Sequence, residues 1–210
     1  AAHSFGSKIE GEFIGNQHEL TMMSFDPIKN ITCIDGGALI FKEESLIQNL
    51  KEMRMIGMSQ NSNINYQDKR DWKYDVFQLG YRYHMPNLHP SIGLSQLNKL
   101  PIIKKKRREI YSTYYQRLNI HEEIKLQGKL NEETIPFIFC IRLLKYERRD
   151  FREFLKKLGI ETGIHWRPGH RFAYYLNSKK GDLSNTEIIE DQIVSLPFYP
   201  SLSIEEVNFI

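Results

Sequence analysis

The sequence predicts an α/β chain. Through residues 1–41, short apolar-polar runs are separated by glycines, the pattern of strands and tight turns. Further on, apolar residues fall at helical spacing, as in Phe151, Phe154, Leu155 and Leu158. No fixed period recurs along the 210 residues, so a solenoid or propeller is excluded.

The elements follow in order. Glu12 to Ile14, Leu20 to Phe25 and Ala38 to Phe41 are strand candidates. Glu43 and Glu44 favour a helix start, with Leu46, Leu50 and Met53 on one face. Asn61 to Asp71 is polar and aperiodic, which predicts a loop. Asn87 is a candidate cap for a helix carrying Leu88, Ile92 and Leu97, with Pro90 tolerated in its first turn. A second, long helix is expected from about Pro101, striped by Ile103, Ile110, Tyr114 and Leu118. Ile135, Phe137, Phe139, Ile141 and Leu143 alternate, so Thr134 to Leu144 reads as a strand. The helix through Phe151 to Leu158 should stop at Gly159. Ser184 with Glu187, ahead of Ile189 and Ile193, and Ser203 with Glu206, ahead of Val207 and Ile210, have capping-box spacing.

Composition narrows the class. The chain is 40% hydrophobic and 26% charged, with a net charge of +3, ordinary for a globular protein. No apolar run approaches the roughly 18 residues of a membrane span, and no secretory leader pattern is present. The two cysteines, Cys33 and Cys140, form neither a disulfide framework nor a metal-ligand spacing. A reduced, cytoplasmic protein is expected. Ala1 falls inside a motif and Ile210 inside a starting helix, so both ends are expected to be cut from a longer chain.

The segment that carries most information is Ser24-Phe25-Asp26-Pro27-Ile28-Lys29-Asn30, closed by Asp35-Gly36-Gly37. A lysine held at a strand end is partly desolvated, which favours the neutral, nucleophilic amine. Ser24 is a hydroxyl of the kind that binds phosphate. An amine able to form a Schiff base, together with a phosphate anchor, is what pyridoxal phosphate (PLP) requires. These residues, with Ala1 to Ser7, Gly11, Gly15, Leu79 to Met85, Gly93 to Leu97, Gly163 to Trp166 and Leu196 to Pro200, resemble the DegT/DnrJ/StrS family. That family consists of PLP-dependent aminotransferases acting on nucleotide-linked keto sugars.

The resemblance implies an aspartate-aminotransferase-like fold. Residues 1–105 would be the C-terminal part of a large, mostly parallel PLP-binding domain. Residues 106–210 would be a linking helix and a small α+β domain, with the boundary along the helix near 101–119. It implies amino transfer, typically from glutamate, through a PLP Schiff base on Lys29, in a homodimer whose products feed polysaccharide or glycoside synthesis. Lysine rather than histidine at position 29 favours transamination over dehydration. Ser24 would bind the cofactor phosphate and His3 its ring hydroxyl. Arg82 stands where the family has an asparagine that reaches the neighbouring subunit's cofactor, and His84 replaces a more usual arginine. His165 and Trp166 would touch the sugar. The acidic partner of the pyridine nitrogen would lie three positions before His3, outside this sequence, so the 210 residues alone are expected to be inactive.

Other features carry blander readings. Lys104 to Arg108 is the densest basic run, and its place on a striped helix predicts a solvated face, not a nucleic-acid site. His165 and His170 lack nearby acidic or thiol partners for a metal set. The rival functional reading is a non-catalytic interaction or regulatory module that retains the fold.

Overall fold

The computed structural model describes residues 1–59 and 75–210. The loop expected over Asn61 to Asp71 lies outside them. The chain divides into two compact units, residues 1–99 and 100–210.

The first unit holds two antiparallel ribbons, β1 (Lys8–Ile9) with β2 (Glu12–Phe13) and β3 (Leu20–Ser24) with β4 (Gly37–Phe41). In β3, Thr21 and Met23 are buried while Leu20 and Met22 are exposed, the alternation of a strand covered on one face. Both strand pairs described in this unit are antiparallel. The two-residue connection between β1 and β2 is too short for the crossover that parallel neighbours need. Helix α1 (Leu46–Met53) follows, with Leu46, Leu50 and Met53 half-buried.

Helix α2 (Leu88–Leu118) runs through the division between the units. It replaces the two helices expected from the sequence, because Pro101 lies inside it instead of opening a new one. Proline's fixed φ suits a helix, and its cost is one donor and local crowding. Packing on both sides outweighs that cost: Gly93 lies against the Cys33 sulfur, and Ile110, Tyr111 and Tyr114 are buried.

The second unit is a three-stranded antiparallel sheet, ordered β5 (Ile124–Leu126), β6 (Phe139–Leu143), β7 (Ile193–Leu196). Its core joins Ile110, Tyr111 and Tyr114 of α2 to Phe139, Ile141, Leu143 and Val194 of the sheet. Leu155 comes from α3 (Arg148–Lys157), which ends ahead of Gly159 as expected. Val207 comes from α5 (Ile204–Phe209), opened by the expected capping box.

Three expectations are corrected in this unit. Strand β6 begins at Phe139, not Thr134. Pro136 has no N–H for a ladder, and the Pro136 and Phe137 carbonyls are taken by Arg107. Ser184 is the first residue of α4 (Ser184–Glu190), not its cap. Its N–H donates to Asp182 Oδ1 at 2.9 Å, and that bond holds the Asp182 carboxyl below its ordinary range. Ile193 belongs to β7, because α4 stops at Glu190.

Candidate functional site

Strand β3 delivers Ser24, half-buried, to the start of the Lys29 loop. The Phe25 N–H donates to Gly36 O at 2.8 Å, and the Phe25 carbonyl accepts from the Cys33 N–H at 3.0 Å and Thr32 Oγ1 at 3.2 Å. The loop therefore leaves and returns at one point. Asp26 shapes the turn itself: its Oδ1 accepts from the Ile28 N–H at 3.1 Å, and its carbonyl from the Lys29 N–H at 3.0 Å. Lys29 is half-buried and Asn30 buried.

The segment bearing His3 is fastened to this loop. Phe5 meets Phe25 edge-to-face with centroids 5.3 Å apart, and Asn30 Nδ2 donates to Phe5 O at 3.5 Å. Ser24, Lys29 and the His3 segment are thus tied to one loop base. The far side of the loop is held by α2, where His89 Nδ1 lies 3.1 Å from Asp35 O. Gly36 has φ of +145°, and a side chain there would run into the Met85 methyl.

Arg82 lies on an extended segment beside residues 53–58. Tyr81 N–H donates to Met53 O at 2.7 Å and Tyr83 N–H to Arg54 O at 2.9 Å, and Met55 bridges Arg82. Arg82 is exposed. On the opposite parity Phe77, Leu79, Tyr81 and Tyr83 are also exposed, the two tyrosines stacked at 5.1 Å.

His165 and Trp166 sit in the second unit, joined by a cis peptide, with rings edge-to-face at 5.0 Å. Trp166 is exposed and His165 half-buried. His165 Nδ1 lies 2.8 Å from Ser195 Oγ, whereas His170 Nε2 lies 3.3 Å from Glu187 Oε1 without hydrogen-bond alignment. The two histidines therefore serve different partners. At His170 a cleft of about 570 Å³ is lined also by Pro168, Tyr175, Lys179, Lys180 and Thr186.

The family model described as the DegT/DnrJ/EryC1/StrS aminotransferase family matches residues 1–210. The chain belongs to that family. It is 34% identical over 99% of its length to an uncharacterized protein of Methanocaldococcus jannaschii, covering 56% of that protein. To the UDP-4-amino-4,6-dideoxy-N-acetyl-beta-L-altrosamine transaminase of Campylobacter jejuni it is 27% identical, over 100% of this chain and 55% of the relative. The structure superposes with TM-score 0.87 and 24% identity on a Streptococcus pneumoniae protein named as a sugar aminotransferase, in its PMP-form. That match covers 100% of this chain and 54% of the other, and the same protein is also known in a PLP-form. The fold is accordingly the aspartate-aminotransferase-like fold of the sugar aminotransferases. The chain spans about half the length of the relatives it matches.

Within this DegT-family framework the sequence reading missed several groups. Phe5 and Asn30 carried no chemical signal, because their role is to fasten two segments distant in sequence. Ser195 went unremarked and Cys140 was noted only as lacking a disulfide or metal partner, yet both line up with His165. The basic run is not a uniformly solvated face. Arg107 is 5% exposed, with its guanidinium 5.3 Å from the Phe198 ring centroid, and burial lowers its pKa to about 10. Arg108 donates to Asn131 O at 2.7 Å and Thr134 O at 2.8 Å. Both arginines clasp the 128–137 connection, whose free carbonyls cannot be read from the helix's own pattern.

Proposed function

We propose that this chain forms the Lys29-bearing part of a PLP-dependent aminotransferase that moves an amino group, from glutamate, to a keto carbon of a nucleotide-linked deoxysugar. The observation that carries the reading is the closed loop at the end of β3, which ties Ser24, Lys29 and the His3 segment to one base. The donor set fits the cofactor: an amine for its aldehyde carbon, a hydroxyl for its phosphate and an imidazole for its ring hydroxyl. The buried Asn30 Oδ1, without a partner among the described residues, leaves an acceptor beside Lys29. When bound, PLP supplies an electron sink and a carrier for the amino group.

In this reading Lys29 Nζ holds the cofactor and moves the proton at the sugar carbon being aminated. Ser24 Oγ anchors the phosphate, and His165 and Trp166 orient the sugar. Arg82 reaches a neighbouring subunit's cofactor in a cytoplasmic homodimer; its exposed position between Tyr81 and Tyr83 supports this. Residues 1–105 form the C-terminal part of the large domain and 106–210 the linking helix and small domain, a boundary close to the division of the chain after Lys99. The 210 residues alone hold PLP weakly and do not turn over, in keeping with their share of the relatives' length.

The test is Lys29→Ala in the full-length protein. It abolishes glutamate-dependent amination of a UDP-keto-sugar, and the PLP absorbance that borohydride removes, while the circular dichroism spectrum is unchanged. Retained turnover would sink the assignment.

A further inference from the structure

Residues Cys140, Ser195 and Gly163 form one row across the second unit's sheet. Cys140 is the register partner of Ser195, and Gly163 bridges Ser195 from the other side through bonds of 2.9 and 2.8 Å. Side chains in such a row stand side by side on one face. Gly163 contributes none. The ring of His165, two residues on, folds back into the space left: a Cβ on Gly163 would lie 2.5 Å from His165 Cε1 and 3.1 Å from Nδ1. That is how Nδ1 comes within 2.8 Å of Ser195 Oγ, which in turn lies 3.1 Å from Cys140 Sγ.

We infer that Ser195, backed by Cys140, is a positioning residue that holds His165 in one orientation and one tautomer, with Nε2–H presented to an acceptor oxygen of the sugar. This rests on the reading of His165 as a sugar-binding residue. The proposed direction of the row starts from its inner end. Cys140 and Ser195 are both buried, and desolvation raises the thiol's pKa, so Cys140 remains S–H. In the proposed arrangement the thiol donates to Ser195 Oγ, 3.1 Å away; the opposite direction would place the proton on His165 Nδ1. Ser195 has one hydroxyl proton, and that proton then points to the acceptor on its other side, His165 Nδ1. A neutral imidazole that accepts at Nδ1 carries its proton on Nε2. The ring nitrogen not engaged by Ser195 is therefore a donor, and a donor fixed by a buried hydroxyl discriminates between a sugar oxygen that can accept and a substituent that cannot.

The protein labelled with ¹⁵N-histidine tests this, the His165 signals among the 7 histidines being assigned by their loss in His165→Gln. At a pH where the ring is neutral, unmodified protein shows a single His165 tautomer protonated at Nε2. Ser195→Ala gives an averaged pair of tautomers, and Ser195→Thr, which keeps the hydroxyl, restores the single form. Gly163→Ala, with Ser195 intact, displaces the ring and gives the averaged pattern too, so the test survives if one variant fails to fold. An Nδ1-protonated ring in the unmodified protein, or an unchanged tautomer in Ser195→Ala, overturns the proposal. For the ligand half, the probe is UDP-4-amino-4,6-dideoxy-N-acetyl-beta-L-altrosamine. Ser195→Ala and His165→Gln each weaken its binding about tenfold, and the double variant no further. Tautomer loss in Ser195→Ala with unchanged probe affinity overturns the sugar-facing role. Failure of the unmodified protein to bind the probe counts against the functional reading of the previous subsection, and the tautomer measurement still decides the role of Ser195.

Discussion

Replacing Arg107 with methionine separates the value of its hydrogen bonds from the cost of burying its charge. The guanidinium Nη1 donates to Phe137 O at 2.9 Å and Pro136 O at 3.4 Å, and the group stacks on Phe198. Losing those bonds strands two carbonyls, at about 1–2 kcal/mol each, and losing the stacking removes about 1 kcal/mol. Against this, the fall of the guanidinium pKa from 12.5 to about 10 corresponds to about 3 kcal/mol of desolvation that methionine does not suffer. The net loss for Arg107→Met is about 0–2 kcal/mol. Arg107→Lys costs more, about 2–3 kcal/mol, because an ammonium keeps the burial cost but cannot span both carbonyls. Urea unfolding followed by circular dichroism, compared at equal m-value, reads both variants. A lysine variant as stable as the wild type, with methionine destabilising by more than 4 kcal/mol, would refute the reasoning: charge, not the two-carbonyl geometry, would then dominate.

Three other outcomes follow from the same structure. Tyr111 and Tyr114 donate to Gly128 O and Pro197 O, both at 3.0 Å, and burial raises both pKa values above 10.0. Their stabilisation is complete below about pH 10 and is lost as pH rises through the folded-state values. Tyr114→Phe therefore flattens the alkaline fall in urea midpoint, and Arg107, with its depressed pKa, contributes with the opposite sign between about 10 and 12.5. Ser203→Ala breaks a complete capping box and lowers stability by about 1 kcal/mol, measured by thermal melting. On the proposed function, Ser24→Ala in the full-length protein weakens PLP retention by about 1–3 kcal/mol, and Arg82→Ala weakens it with Arg82→Asn recovering most of the loss, all read by equilibrium PLP titration.

What the sequence disclosed was local. Strands β3 and β4 and the end of α3 fell within a residue or two of expectation, because alternation and a terminal glycine are encoded in neighbours. Ser24, Lys29 and His3 were likewise proposed from two short local motifs, residues 1–7 and 24–30. What was hidden depended on partners far along the chain. The short β6 reflects an arginine 29 and 30 residues away, and the unbroken α2 reflects packing that offsets Pro101. Ser195 acquired a role only when β7 placed it between Cys140 and the folded-back ring of His165.

The extended segment beside residues 53–58 also bears on the colloidal behaviour of the chain. Phe77, Leu79, Tyr81 and Tyr83 are 76, 78, 48 and 73% exposed, four alternate positions of one face. Such a row is a template for strand addition by any chain with a matching pattern. The residues between and around them act as gatekeepers: Asp75 and Arg82 carry charge, and Gly80 disfavours regular pairing. Neutralising both charges would leave Gly80 as the remaining deterrent to regular strand pairing. The charges of Asp75 and Arg82 thus bear on solubility at high protein concentration as well as on local structure.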